Sequence, residues 1–123
     1  MGAMTPRARR RYGTVLFWTV AGSMHFLRPR SYEAIVPPPL ERYKREVVVA
    51  SGISELVGGM AVMPSRTRRV ARGWLLATLV AVYPANVYMA LKPDRFRRIP
   101  KWLLWARLPV QGLFAWITWR GTE

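Results

Sequence analysis

Four apolar stretches in series, each bordered by clustered basic residues, constrain this chain more than any single motif. They run from about Tyr12 to Leu27, Val47 to Met63, Gly73 to Leu91 and Trp102 to Trp119. Arginine and lysine gather at 7–11, 28–30, 42–45, 66–72 and 92–101. An amphipathic helix of a soluble domain sets its charges opposite its apolar stripe, whereas this chain sets them before and after each apolar block. That order predicts spans whose basic flanks anchor at lipid headgroups. Each block approaches the roughly 20 residues that the hydrocarbon core of a bilayer requires, and the third holds no charge. Backbone groups in lipid must bond within their own segment, and no block alternates with the period of a strand, so the blocks read as helices. The expected fold class is all-α, a single domain over residues 1–123 folded as a four-transmembrane-helix bundle, with spans at about 12–27, 47–63, 73–91 and 102–119. A Pro-rich lid loop is expected between its first two helices.

Composition narrows the function classes. Twenty Lys plus Arg against six Asp plus Glu would suit a nucleic-acid binder, but 51% hydrophobic residues, six Trp and long apolar runs argue against one. The basic start at Arg7, Arg9, Arg10 and Arg11 followed by an apolar run also has the form of a signal peptide; three further spans favour an uncleaved anchor. The same arginines predict a cytoplasmic N-terminus. The chain has no cysteine, which removes thiolate metal sites, disulfide exchange and a cysteine nucleophile from its own chemistry. With a single histidine, no metal site is expected. The stretch Ser51-Gly-Ile-Ser-Glu-Leu-Val-Gly-Gly59 reads as helix packing rather than a phosphate loop, and the tryptophans read as an interfacial belt.

Helical spacing then sorts each block into faces. Thr14, Trp18, Ala21, Gly22 and His25 share one stripe of the first. In the second, Ser51, Ser54, Glu55 and Gly58 share a small polar face, with Val49, Ile53, Leu56, Met60 and Met63 opposite, so the polar face should turn inward. The third brings Asn86 one turn beyond Val82 and Tyr83, with Pro84 freeing the Val80 carbonyl. The fourth aligns Arg107, Gln111, Phe114 and Thr118. Counting about 1.5 Å per residue from the helix ends puts His25, Glu55, Asn86 and Arg107 in the same half of the bundle. The candidate polar pocket is therefore His25, Ser51, Glu55, Asn86, Arg107 and Gln111. Within it, Glu55 and Arg107 are expected to pair, either to set helix register or to serve a ligand or proton site. His25 has two readings, a helix-end cap at the headgroups or a residue of the site. Tyr32, Ile35 and Val36, ahead of Pro37-Pro38-Pro39, are expected to fold back over the mouth.

Four segments, GSMHFLRPRSYEAIVPPPL, SGISELVGGMAVMP, VAVYPANVYMAL and RLPVQGLFAWITW, taken in order from Tyr12 to Trp119, resemble the DoxX-like family of small four-helix integral membrane proteins. The resemblance implies that His25, the Pro37–Pro39 segment, Glu55, Pro84-Ala-Asn86 and Arg107-Leu-Pro-Val-Gln111 occupy the family's motif positions. It implies a place in the bacterial cytoplasmic (inner) membrane. Some relatives are membrane subunits associated with thiosulfate:quinone oxidoreductase, distant animal relatives look like assembly chaperones, and most have no assigned reaction. Two functions follow as expectations. The first is a non-catalytic subunit or small-molecule binding protein, for a quinone or lipid, that supports a membrane redox or assembly partner. The second is a quinone-linked oxidoreductase component in which His25 and Glu55 transfer protons. No cofactor is evident beyond a quinone. The expected partners are the lipid bilayer, that redox or assembly protein and further copies of the chain, with no nucleic acid.

Overall fold

A computed structural model describes residues 3–123. They form five α-helices: α1 (Pro6–Leu27), α2 (Pro29–Glu33), α3 (Lys44–Ala61), α4 (Arg68–Leu91) and α5 (Lys101–Gly121). Two short 3-10 turns, Pro38–Tyr43 and Pro93–Phe96, precede α3 and α5. The start of α1 is capped by Thr5, whose hydroxyl accepts the Ala8 N–H at 3.1 Å, with Pro6 at the first helical position where no N–H is needed.

The four long helices pack in a closed ring, α1 on α3, α3 on α4, α4 on α5 and α5 on α1. All four contacts are antiparallel. Gly22 meets Leu56 while Gly59 meets Trp18; Ser54 bonds Thr78 while Gly58 meets Leu75; Arg72 bonds Thr122 while Asn86 bonds Gln111. Between α5 and α1, Trp18 Nε1 donates to Thr118 Oγ1 at 3.0 Å, and Thr14 Oγ1 donates to the Ile117 carbonyl at 3.1 Å. One apolar cluster, Trp18, Val62, Ala71, Leu75 and Leu79, fills the end of the ring near the α3–α4 connection. A second, Tyr88, Met89, Phe96 and Leu104, closes the far end of α4 against α5.

The inward stripes follow the sequence spacing. Thr14, Trp18, Gly22 and His25 are the buried residues of α1, and Glu55 and Gly58 are buried on α3, with Ser51 and Ser54 half-buried. Val49, Ile53, Met60 and Met63 point outward. Leu56 departs from its expected outward face. It is half-buried because the missing side chain of Gly22 leaves it room against α1.

The four-span architecture is corrected by this structure. Among the described residues, only α4, Arg68–Leu91, is both long and apolar enough to cross a membrane. α4 keeps its three arginines, Arg68, Arg69 and Arg72, in its first turns and leaves 73–91 uncharged, whereas the charges of the other three leave no uncharged run of that length. α1 includes Arg7, Arg9, Arg10 and Arg11, and α3 opens on Lys44-Arg45-Glu46 and holds Glu55 within 18 residues. α5 includes Lys101, Arg107 and Arg120. The apolar blocks are therefore parts of longer helices that also carry charge. Within α4, 33% of the apolar window is buried, and Val70, Trp74, Val80, Tyr83 and Leu91 face outward.

The Pro-rich connection is likewise not a loop. Pro29 starts α2 and Pro38 starts a 3-10 turn, because a proline at the first positions of a helix gives up an N–H that would have no partner there. Of the three consecutive prolines, Pro37 has the extended backbone, with φ −59° and ψ 149°.

Candidate functional site

The ring of helices encloses a cavity of about 460 Å³, within the range of small-ligand pockets. Its floor holds Trp18, Leu79 and Phe114, and its walls come from all four long helices. Tyr32, Ile35, Val36 and Leu40 cover it from the α2 segment, so this connection does fold back over the bundle. All six residues of the sequence-derived pocket line this one cavity: His25, Ser51, Glu55, Asn86, Arg107 and Gln111.

Close helix approach builds the first polar wall. A Cβ on Gly52 would lie 2.9 Å from the His25 Cβ and 2.8 Å from the Phe26 ring, so only glycine lets α1 come this near α3. That approach puts His25 Nε2 3.0 Å from Glu55 Oε2. At the other side of the ring, His25 Nδ1 lies 2.8 Å from the Ala21 carbonyl, which can only accept, so Nδ1 carries a hydrogen. Two facing lone pairs would repel at the Nε2–Oε2 distance. The contact is attractive when the pair carries one proton beyond that on Nδ1, as imidazolium with carboxylate or imidazole with carboxylic acid. The contact has the distance of an ion pair without the alignment of a hydrogen bond, and Oε2, buried, has no hydrogen-bond partner among the described residues.

Tyr32 stacks on the outer face of His25, with ring centroids 4.0 Å apart and planes 20° from parallel. Burial, and then the nearby Glu55 carboxylate, push its phenol above the ordinary range, with Arg107 acting in the opposite sense. The hydroxyl is a neutral donor and acceptor at neutral pH.

The second polar wall runs across α5 and α4. Arg107 Nε donates to Asn86 Oδ1 at 3.2 Å, Asn86 Nδ2 donates to Gln111 Oε1, and Gln111 Nε2 donates to the Leu79 carbonyl at 2.6 Å. Leu79 lies one turn before Pro84, whose ring crowds this part of α4 and whose missing N–H leaves the adjacent Val80 carbonyl without its helical donor. Every donor in this chain points the same way, so the remaining N–H groups of Arg107 stand at its free end.

The expected pairing of Glu55 with Arg107 is corrected. Among the described residues Glu55 contacts His25, and Arg107 is committed to Asn86. Arg107 is also exposed rather than buried, so its charge keeps access to the surroundings and needs no carboxylate to neutralise it. With Leu40, Ala81 and Pro84, the other exposed lining residues, it borders the opening of the cavity. His25, 7% exposed, bonds a carbonyl of its own last turn and faces the cavity.

Residues 14–122 match a family described as a domain of unknown function, DUF8561. The chain belongs to this family. No curated protein and no solved structure matches it. The family description assigns no activity. The match begins at Thr14, the first buried residue of α1, and ends at Thr122, whose hydroxyl accepts from Arg72 Nε at 2.9 Å, so the DUF8561 region takes in every residue lining the cavity and all of the ring except the first two turns of α1.

Two contributors to this DUF8561 site were not among the six. Tyr32 was read only as an apolar lid residue, although the single aromatic hydroxyl between Leu27 and Leu40 was a visible candidate. Gly52 was read as generic packing; its place one helical turn before Glu55 was the signal that a second helix could approach the carboxylate.

Proposed function

We propose that the protein is a membrane-associated, non-catalytic binding protein whose cavity holds a small amphiphile, a quinone or a lipid, in support of a membrane redox or assembly partner. The observation that carries this reading is the cavity itself: apolar floor and walls, two polar groups at fixed places, and an opening edged by three apolar residues and one guanidinium. An amphiphile matches that division. The outward apolar residues of α1, α3, α4 and α5, among them Leu16, Ile53, Val80 and Leu113, support a lipid environment. Within the apolar window of α4, Trp74, Val80, Tyr83 and Leu91 are exposed, which supports the same reading.

Native mass spectrometry of the protein released from detergent tests the reading. A co-purified apolar species of discrete mass is expected, lost when Trp18→Ala and Leu79→Ala open the cavity floor. A protein that carries no such species and binds neither lipid nor quinone on titration would refute it.

A second reading is favoured by one observation, the approach of His25 Nε2 to within 3.0 Å of Glu55 Oε2 at the cavity wall. There the chain would be the quinone-linked component of an oxidoreductase, with His25 and Glu55 passing protons to and from the bound head and a partner protein supplying electrons. Stopped-flow proton uptake on reduction of a bound quinone, abolished in His25→Gln, distinguishes it from simple binding.

A further inference from the structure

We infer that the cavity selects an amphiphile whose head both donates a hydrogen bond, to Glu55, and accepts one, from Arg107, so that a hydroxyl-bearing head is preferred over one with acceptors alone. This deepens the binding reading and rests on it.

The inference comes from an inventory of what each wall has left to offer. On the α1–α3 wall, His25 has committed Nδ1 to the Ala21 carbonyl and faces Glu55 with Nε2. Glu55 is only 7% exposed; its Oε2 is closed off against His25, while the other oxygen, Oε1, takes no hydrogen bond from the described residues and is the one a bound head can reach. A buried carboxyl oxygen without a donor is costly, and a ligand that brings one recovers that cost on binding. This wall asks for a donor.

On the α4–α5 wall the demand is reversed. The chain from Arg107 through Asn86 and Gln111 to the Leu79 carbonyl already engages each side-chain amide oxygen as an acceptor and ends on a backbone acceptor. What remains toward the opening is N–H, chiefly the guanidinium nitrogens of Arg107, which can donate and never accept. A head carrying only acceptors satisfies this wall and leaves Glu55 orphaned. A head carrying only donors satisfies Glu55 and leaves Arg107 to water. A ring or glycerol-type head with one hydroxyl and one carbonyl satisfies both.

Two probes isolate the donor. Octyl 4-hydroxybenzoate carries a carbonyl and a phenolic hydroxyl; octyl benzoate has the same tail and carbonyl, lacks the hydroxyl and is smaller, so weaker binding cannot come from a clash. Titrated into the detergent-solubilised protein by calorimetry, with micelle partition subtracted, the hydroxyl probe is expected to bind about tenfold or more tightly. In Glu55→Met the two should agree within about twofold, and Arg107→Met should weaken both alike. Equal affinities in the wild type would overturn the inference while leaving amphiphile binding intact. A preference that survives Glu55→Met would overturn the assignment to Glu55, and failure of both probes together with the absence of any co-purified amphiphile would refute the binding reading itself. Should Glu55→Met not fold, difference infrared spectra of the wild type decide: the hydroxyl probe should perturb a carboxyl band that octyl benzoate leaves unchanged, and an unchanged band with both overturns the inference.

Discussion

Glu55 shares its buried wall with a histidine and stands apart from the arginine that sequence spacing offered it, and thermodynamic coupling can tell these arrangements apart. Glu55→Gln or His25→Gln alone leaves the partner facing a group that cannot complete the exchange of one proton, at a cost of about 1 to 4 kcal/mol. The double variant should recover part of that loss, with a coupling of about 0.5 to 3 kcal/mol in thermal unfolding. Glu55→Gln combined with Arg107→Gln should be additive within about 0.5 kcal/mol, since the two contact different residues. Asn86 has a different kind of importance because it both accepts from Arg107 and donates to Gln111. Asn86→Leu is expected to cost about 1 to 3 kcal/mol by stranding the Gln111 amide oxygen, while Asn86→Gln should be intermediate. Urea unfolding midpoints would check the order.

At the scale of the elements, glycines divide into those that set helix distance and those that do not. A Cβ on Gly22 would come within 2.8 Å of Leu56 and 3.0 Å of the Gly52 carbonyl oxygen, a backbone atom that cannot move aside. Gly22→Val or Gly52→Val should therefore separate α1 from α3, at about 1 to 3 kcal/mol or more, and weaken amphiphile binding by drawing His25 away from Glu55. Gly73 and Gly112 meet nothing within 4 Å, so Gly73→Ala or Gly112→Ala should be neutral or stabilise by up to about 1 kcal/mol through helix propensity. Melting temperature and probe affinity measured on the same four variants would separate the classes. The same elements show what was legible in the sequence. Period 3.6 located the buried stripe of α1 from Thr14 to His25, and it brought six polar residues to one cavity, because side-chain direction on a helix follows from spacing alone. Spacing carries no information about rotation of one helix against its neighbour. Glu55 can face α1 or α5 from the same stripe, and Gly52, by allowing α1 close, decided for His25. The three prolines were read as an extended strut, yet the same residues are good helix starters, and local sequence does not choose between those roles. The four blocks were also read as four spans; counting apolar residues overlooked the charges that the structure places inside α1, α3 and α5.

Viewed whole, the molecule is strongly basic at both ends and differs between them in kind. The antiparallel ring gathers arginines 7, 9, 10, 11, 66, 68, 69, 72 and 120 at one end, with Glu123 as the acidic residue there. The other end mixes its basic residues with Glu33, Glu41, Glu46 and Asp94. On the proposed membrane location, the unmixed end should face the cytoplasm, since positive charge flanking a span is retained there. A cysteine introduced at Ser65, just before α4, should resist an impermeant thiol reagent in intact cells and react after permeabilisation. Labelling without permeabilisation would reverse the orientation. The outward residues hold one more consequence. Leu16, Val20, Ile53, Val57, Val80 and Leu113 are exposed, and none lines the cavity or bonds its polar groups. What the surface says to its solvent and what the interior says to its ligand are thus written on separate sets of residues. Repainting only the first set with Glu, Lys and Gln should yield a water-soluble protein that keeps its ligand preference, readable by circular dichroism and probe titration without any detergent.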